Sequence, residues 1–324
     1  SEILGELNAS HTGGSYSGGS GRSVLPTASL GAFYDESFKG DGLKILEIVK
    51  RGPLSDKSLG LEPGDVILSI NDSIIRAGKD YFPMLEGKAG KKVKLEIKKA
   101  KGDRKTVYVK PIGGSAVKDL LYTRWVERNE HIVDSVSEGR IAYVHVRAMN
   151  GPSFNEVYDR LLGKYRNCDA VVVDTRHNGG GWLHNDIAIL LNGKKYVTHS
   201  PRGQFIGTDP FSQWCKPSAM LVDESNYSDA HGTPYVYQTL KIGDVIGAPI
   251  PGTMTAVWWE TQIDPTIVFG IPEVTSLDGN GEMLENKQLN PDIEIYNNPA
   301  DVLRGHDEQL IGATKHLMKK TAKK

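Results

Sequence analysis

Ala170-Val171-Val172-Val173-Asp174-Thr175-Arg176-His177-Asn178-Gly179-Gly180-Gly181 decides how this 324-residue chain is built. Its run of small and β-branched apolar residues reads as a strand buried on both faces, the habit of a parallel sheet. The strand breaks into a turn whose three glycines leave backbone N–H groups open to close approach. Further along, Ser218-Ala219-Met220-Leu221-Val222 and then Asn226-Tyr227-Ser228-Asp229-Ala230-His231 repeat the plan. In open α/β sheets, ligands collect beyond the carboxyl ends of the strands. A hydroxyl beside a polyglycine turn supplies what acyl transfer needs: an attacking oxygen, and amides aimed at the oxyanion that forms.

The surrounding pattern extends the α/β reading from residue 113 to the end. Leu120 to Val136 carries apolar residues at helical spacing, Ile141 to Val146 reads as a strand, and Phe154 to Leu162 as a helix. Asp186 to Leu191 and Thr233 to Leu240 read as helices following the two turns. Strands and helices in alternation predict a mainly parallel sheet with helices on its faces.

Ahead of Gly113-Gly114-Ser115, which reads as a boundary, the pattern is different. Leu43 to Val49, Val66 to Ile70, Val93 to Ile97 and Thr106 to Val109 are short β-like runs, with a short helix expected over Gly78 to Glu86. The stretch Glu62-Pro63-Gly64-Asp65-Val66-Ile67-Leu68-Ser69-Ile70-Asn71-Asp72 resembles a PDZ domain, which implies a module over residues 38–112. Such modules bind peptides by adding a strand to a sheet edge, often with the terminal carboxylate held by backbone amides. Gly42-Leu43-Lys44-Ile45 takes the place of that carboxylate-binding loop and is the expected peptide-binding element.

Composition excludes several classes of partner. A formal net charge of −1 gives no electrostatic reason to expect nucleic acid or an anionic membrane. No apolar stretch reaches the roughly 18–20 residues a membrane span needs. Cys168 and Cys215 lack metal-type spacing and read as free thiols, and no metal, nucleotide or prosthetic-group motif is evident, so no cofactor is expected. Ser1 to Leu7 reads as the tail of a helix, the mark of an excised fragment. Residues 12–23, with five glycines and four serines, read as a flexible linker. Trp258 and Trp259 could line a substrate cleft but are expected rather to pack inside, and Lys319 to Lys324 to form a solvated, frayed helix end.

Ser228 is the candidate nucleophile. A serine after a strand is ordinarily a helix N-cap, but here Asp229 offers an amide next to it and the triple glycine offers a second. A phosphate-cradling turn would be followed by Lys-Ser/Thr, and none follows. The base must be a group with a pKa near working pH. His231, three residues on, would be badly angled to reach the hydroxyl and reads as a surface residue, while His177 and His184 flank the glycine turn. Spacing does not choose among them.

Ile3-Leu4-Gly5-Glu6-Leu7-Asn8-Ala9-Ser10-His11-Thr12, a PDZ domain, Asn178-Gly179-Gly180-Gly181 and Asn226-Tyr227-Ser228-Asp229 follow in the order seen in the tail-specific, C-terminal processing proteases. The chain most resembles their tricorn-like branch. The resemblance implies a multi-domain α/β protein: an N-terminal cap segment (1–37), the PDZ domain (38–112) and a crotonase-like serine-peptidase core (113–324). It further implies Ser228 as nucleophile, His11 as general base and Ser10 as its orienting neighbour. Gly180, with Gly179 as the neighbouring choice, and Asp229 match the oxyanion-hole amides. Glu285 matches the late acidic member, with Glu282 a weaker substitute. The branch that uses a serine–lysine dyad fits poorly, because Gly252-Thr253-Met254-Thr255-Ala256 holds no lysine and Lys241 comes too early. Peptides or unfolded proteins are the implied substrates, and self-association into rings or oligomers is implied as well. The competing expectation is a catalytically silent peptide-binding scaffold of the same fold.

Overall fold

The computed structural model describes residues 2–18 and 25–322. The chain divides into two compact units, one of residues 19–127 and one of residues up to 18 together with those from 128 onward.

In the first unit β1 (Ala32–Tyr34), β2 (Leu43–Ile48), β3 (Val66–Ile70), β4 (Val93–Lys98) and β5 (Arg104–Val109) lie side by side in that order, all antiparallel. Alternation builds this sheet: Val93, Leu95 and Ile97 turn inward to a core with Ile45, Ile67 and Leu85, while Lys94 and Glu96 between them face the other way. The helix expected over Gly78 to Glu86 shortens to a 3₁₀ turn, Phe82–Leu85. Pro83 has no N–H to donate to a preceding turn, which suits the start of a helical turn and not the middle of a helix running from Gly78.

Gly42-Leu43-Lys44-Ile45 leads into β2, and three of its backbone groups are engaged within the module. Gly42 N–H donates to Ile75 O at 2.9 Å, Asp35 N–H donates to Lys44 O at 2.9 Å, and Ile45 N–H donates to Asp65 O at 2.8 Å. β1 is one edge of the sheet, and beside it runs a groove of about 540 Å³ lined by Leu30, Phe33, Phe82 and also by Gly42, Leu43 and Lys44.

Helix α1 (Gly114–Ser137) begins at the Gly-Ser pair expected to be a boundary. Beyond it, β6 (Ile141–His145), β7 (Ala170–Asp174), β8 (Ser218–Val222), β9 (Asp244–Gly247) and β10 (Ile293–Glu294) form a five-stranded sheet in chain order, every neighbouring pair parallel. Every residue of β6, β7 and β8 is buried, as a sheet covered on both faces requires. The connections carry α2 (Gly151–Asp159), α3 (His184–Leu191) and α4 (Asp229–Thr239), and the last helix, α5 (Glu308–Ala322), packs across β6, β7, β8 and β9. Lys320, expected to be merely solvated, pairs with Asp244 at 2.6 Å, and Lys323 and Lys324 lie outside the described residues. Among the described residues no helix is long and apolar enough to cross a membrane.

The glycine-rich N-terminal stretch is not simply a linker. Gly13–Tyr16 is a strand paired antiparallel with Ile267–Gly270, whose other edge takes Glu260–Thr261. Pairing there uses backbone groups alone, so glycine and serine suffice. Residues 19–24 of the expected linker lie outside the described residues. The helical tail shrinks to the single turn Glu2–Gly5. Trp258 and Trp259, expected to be buried, are more than half exposed.

Candidate active site

β7 and β8 are neighbours, with Leu221 opposite Asp174, so their carboxyl ends release the glycine turn and the serine turn side by side. Two buried asparagines tie the turns together. Asn178 O accepts from Tyr227 N–H at 3.0 Å, and Asn226 Nδ2 donates to Thr175 Oγ1 at 3.0 Å. Beneath them, Arg176 is buried with its guanidinium on Asp174, Asp307 and Gln309. Burial works against the charge on Asp174, yet the guanidinium outweighs it and holds the carboxyl below its usual range. The ion cluster thereby fixes the root of the glycine turn to the start of α5.

Ser228 sits at the start of α4 with φ 58° and ψ −126°, a left-handed backbone that costs a non-glycine residue on the order of 1–3 kcal/mol. Its N–H donates to Thr253 Oγ1 at 2.9 Å, and its side chain caps nothing in the helix. The strained turn therefore presents the hydroxyl outward, with the amide of Asp229 at the first helical position beside it. Gly180 lies against this turn so closely that a Cβ there would fall 2.5 Å from Ser228 Cβ and 2.7 Å from Tyr227 O. Gly180 N–H donates to Asn178 Oδ1 at 2.8 Å, so its donor is already engaged. Among the described residues nothing takes the N–H of Gly181 or of Asp229. The Asp229 carboxylate reaches back to the glycine side, accepting from Leu183 N–H at 2.6 Å and His184 N–H at 3.0 Å. One residue thus offers an amide at the serine and clamps the far end of the glycine turn.

His11 and Ser228 line a common cleft of about 520 Å³. The imidazole arrives from the far end of the chain, held behind by the Gly13–Tyr16 strand and below by Tyr227. Tyr227 accepts from His11 N–H at 2.8 Å, and its ring centroid lies 4.8 Å from that of the imidazole. Ser10 Oγ donates to Glu285 Oε2 at 3.0 Å and lies 2.8 Å from His11 Nδ1. The other Glu285 oxygen accepts from Ser10 N–H, and Oε2 also takes Met254 N–H at 2.7 Å. Thr255 Oγ1 donates to Ser10, and its oxygen lies 3.1 Å from His11 Nδ1. With Ser10 Oγ donating to Glu285 and Thr255 Oγ1 to Ser10 O, the arrangement suits an imidazole that carries its proton on Nδ1 and leaves Nε2 as acceptor. Burial lowers the His11 pKa below its ordinary value, against the raising influence of Glu285. A neutral imidazole with a bare Nε2 in the cleft is a competent proton acceptor.

The remaining histidines separate cleanly. His231, expected at the surface, is buried, because the 252–255 loop covers it and Thr253 N–H donates to its Nδ1 at 3.2 Å. Burial drives its pKa down to about 4. His177 points to Asp223 at 2.8 Å and is not among the cleft residues, whereas His184 lines the cleft and pairs with Asp229 at 2.5 Å. Glu282 is bound to Lys287. Sequence reading missed Thr255, Thr253 and Tyr227. Tyr227 could have been suspected from its place beside the serine, but the two threonines carry no signal in spacing.

A strained serine, the unengaged amides of Asp229 and Gly181 and a relayed imidazole stand on one cleft at the carboxyl ends of a parallel sheet, the groups that serine-type acyl transfer calls for. Residues 140–295 match the model of Peptidase family S41, and residues 42–114 match the Tricorn protease PDZ domain. Residues 140–295 thus belong to peptidase family S41 and residues 42–114 to the tricorn-type PDZ domains. The chain is 27% identical over 93% of its length to the putative Tricorn-like protease C-terminal subunit of Sulfurisphaera tokodaii, covering 35% of that protein. It is 25% identical over 83% of its length to the Tricorn protease of Thermoplasma volcanium, covering 26% of it. It is similar in fold to the crystal structure of the tricorn protease, with a TM-score of 0.84 at 22% identity, over 99% of this chain and 32% of that one. The chain therefore spans about a third or less of the length of these relatives.

Proposed function

We propose that the chain hydrolyses peptide bonds through an acyl-enzyme formed on Ser228. His11 Nε2 takes the proton from Ser228 Oγ as the hydroxyl attacks a peptide carbonyl, then returns it to the leaving amine. Water activated by the same imidazole clears the ester. Ser10 and Glu285 keep His11 in the Nδ1-protonated form and steady the imidazolium that develops, the part a third group plays in triad logic. The oxyanion is held by the amide of Asp229 and by the glycine turn Gly179 to Gly181. With Gly180 N–H tied to Asn178, Gly181 is the better donor from that turn. Each such donor is worth on the order of 3 kcal/mol of barrier.

The observation that carries this reading is the Glu285–Ser10–His11 relay, which joins residues 275 apart in sequence on a cleft shared with Ser228. Nothing favours a silent scaffold, whose imidazole would have no reason to be relayed in this way. Labelling by a serine-directed fluorophosphonate tests it. The intact protein should label at Ser228, Ser228→Ala should abolish both labelling and peptide cleavage, and an active Ser228→Ala protein would refute the assignment.

The proposed organisation is an N-terminal cap segment within 1–37, a PDZ module centred on 38–112 and a crotonase-like core over 113–324. The chain-ordered parallel sheet supports the last of these. The groove lined by β1 and by Gly42, Leu43 and Lys44 is proposed to take an extended peptide segment. Peptides or unfolded proteins are the proposed substrates, and the assembly is proposed to be a homo-oligomer.

A further inference from the structure

The cleft beside Ser228 has apolar walls. Trp182, Tyr235, Met254, Val257, Trp259 and Leu277 contribute to them, and Trp182 is 77% exposed. Among the described lining residues Asp229 is the sole carboxylate, and no lysine or arginine is present. That carboxylate is spent. One oxygen accepts the amides of Leu183 and His184, and the other is paired with His184 Nδ1 at 2.5 Å. The imidazole in turn stands edge-on to Trp182, with ring centroids 5.4 Å apart and planes at 67°.

We infer that His184 sets the charge selectivity of this cleft: by occupying Asp229 it makes the site accept apolar or aromatic substrate side chains and reject lysine and arginine. This rests on the peptidase reading of the same cleft and adds the substrate class. A cationic side chain entering here would leave water for apolar walls with no counter-charge to meet it, and unpaired burial of a charge is strongly unfavourable. It would also face the imidazole edge, which the hydrogen bond to Asp229 keeps protonated to higher pH than an ordinary histidine. A leucine, methionine or phenylalanine side chain loses water at a gain instead.

The test uses the intact protein and a fluorogenic peptide set that differs only in the residues flanking the scissile bond, with cleavage sites read by mass spectrometry. Peptides with Leu, Met or Phe there should exceed those with Lys or Arg by at least about tenfold in kcat/KM. His184→Ala leaves the two backbone amides on Asp229 but frees its other oxygen toward the cleft, so the apolar-to-basic ratio should fall by about tenfold. Trp259→Ala leaves Asp229 paired, and should lower cleavage of apolar peptides without raising that of basic ones. A wild-type preference for Lys or Arg overturns the inference without any variant, as does an unchanged ratio in an active His184→Ala protein. If Ser228 labels with fluorophosphonate and basic peptides win, only this inference falls. If nothing is cleaved and nothing labels, the peptidase reading falls and takes the inference with it.

Discussion

Glu285 and His11 are joined through a single hydroxyl: Ser10 Oγ donates to the carboxylate at 3.0 Å and accepts from Nδ1 across 2.8 Å. The charge is therefore held one side chain back from the imidazole. Burial of His11 remains the larger influence on its titration, and the imidazole protonates below its ordinary value of 6.5 despite Glu285.

The sign of the pH dependence follows. Activity needs neutral His11, so kcat/KM should fall on the acid side with its limb below pH 6.5. Glu285 raises the His11 pKa, so Glu285→Gln should move that limb to still lower pH while kcat drops roughly 10- to 100-fold. A pH–rate profile in which the limb moves upward would contradict the relay.

Gly180→Ala should disable the oxyanion side of the site. The new Cβ would sit 2.5 Å from Ser228 Cβ with φ at +95°, so either the glycine turn or the serine turn must shift. A loss of about 100-fold in kcat/KM is expected, with about 1–3 kcal/mol of destabilisation from overpacking. Gly179 faces open space, and alanine there should leave the thermal midpoint near wild type. Wild-type kcat/KM in Gly180→Ala would show that the close approach is irrelevant to turnover.

The sheet and the two turns were legible because a fully buried parallel strand writes itself as an uninterrupted apolar run. The joining of Ser10-His11 to Glu285 was not legible from spacing, since contacts between residues 275 apart leave no periodic trace. Only the resemblance supplied it. Gly13–Tyr16 looked like linker because a strand paired through its backbone needs no apolar side chains. His231 was misread because the loop that buries it lies 22 residues further along.

His231 should make the fold acid-sensitive. Its pKa is about 4 in the folded protein against an ordinary 6.5, so the unfolded chain binds the proton more readily. Stability is then lost as pH falls from about 6.5 towards 4, on the order of 3 kcal/mol in total from this residue. His231→Gln keeps an acceptor for Thr253 N–H and cannot titrate, so its urea midpoint should depend less on pH across that window. Parallel midpoint curves for the two proteins would remove His231 from the account.

Ser15→Pro tests whether the N-terminal strand delivers the base. Ser17 N–H donates to Thr266 O at 2.7 Å, and the antiparallel register pairs Ser15 with Val268, so alternation points Ser15 N–H at the same strand. Proline removes that donor and should loosen the segment that carries His11. The parallel sheet and its helices lie elsewhere in the chain, so the thermal midpoint should fall by only a few degrees. Loss of the positioned base should nevertheless cost about 100-fold or more in kcat/KM. Because His11 supplies only the proton transfer, hydroxylamine or another small nucleophile should not restore the first, acylating step, and the initial burst of product should shrink with the steady rate. A full burst in Ser15→Pro would mean that Ser228 is activated by some group other than the imidazole this strand holds in place.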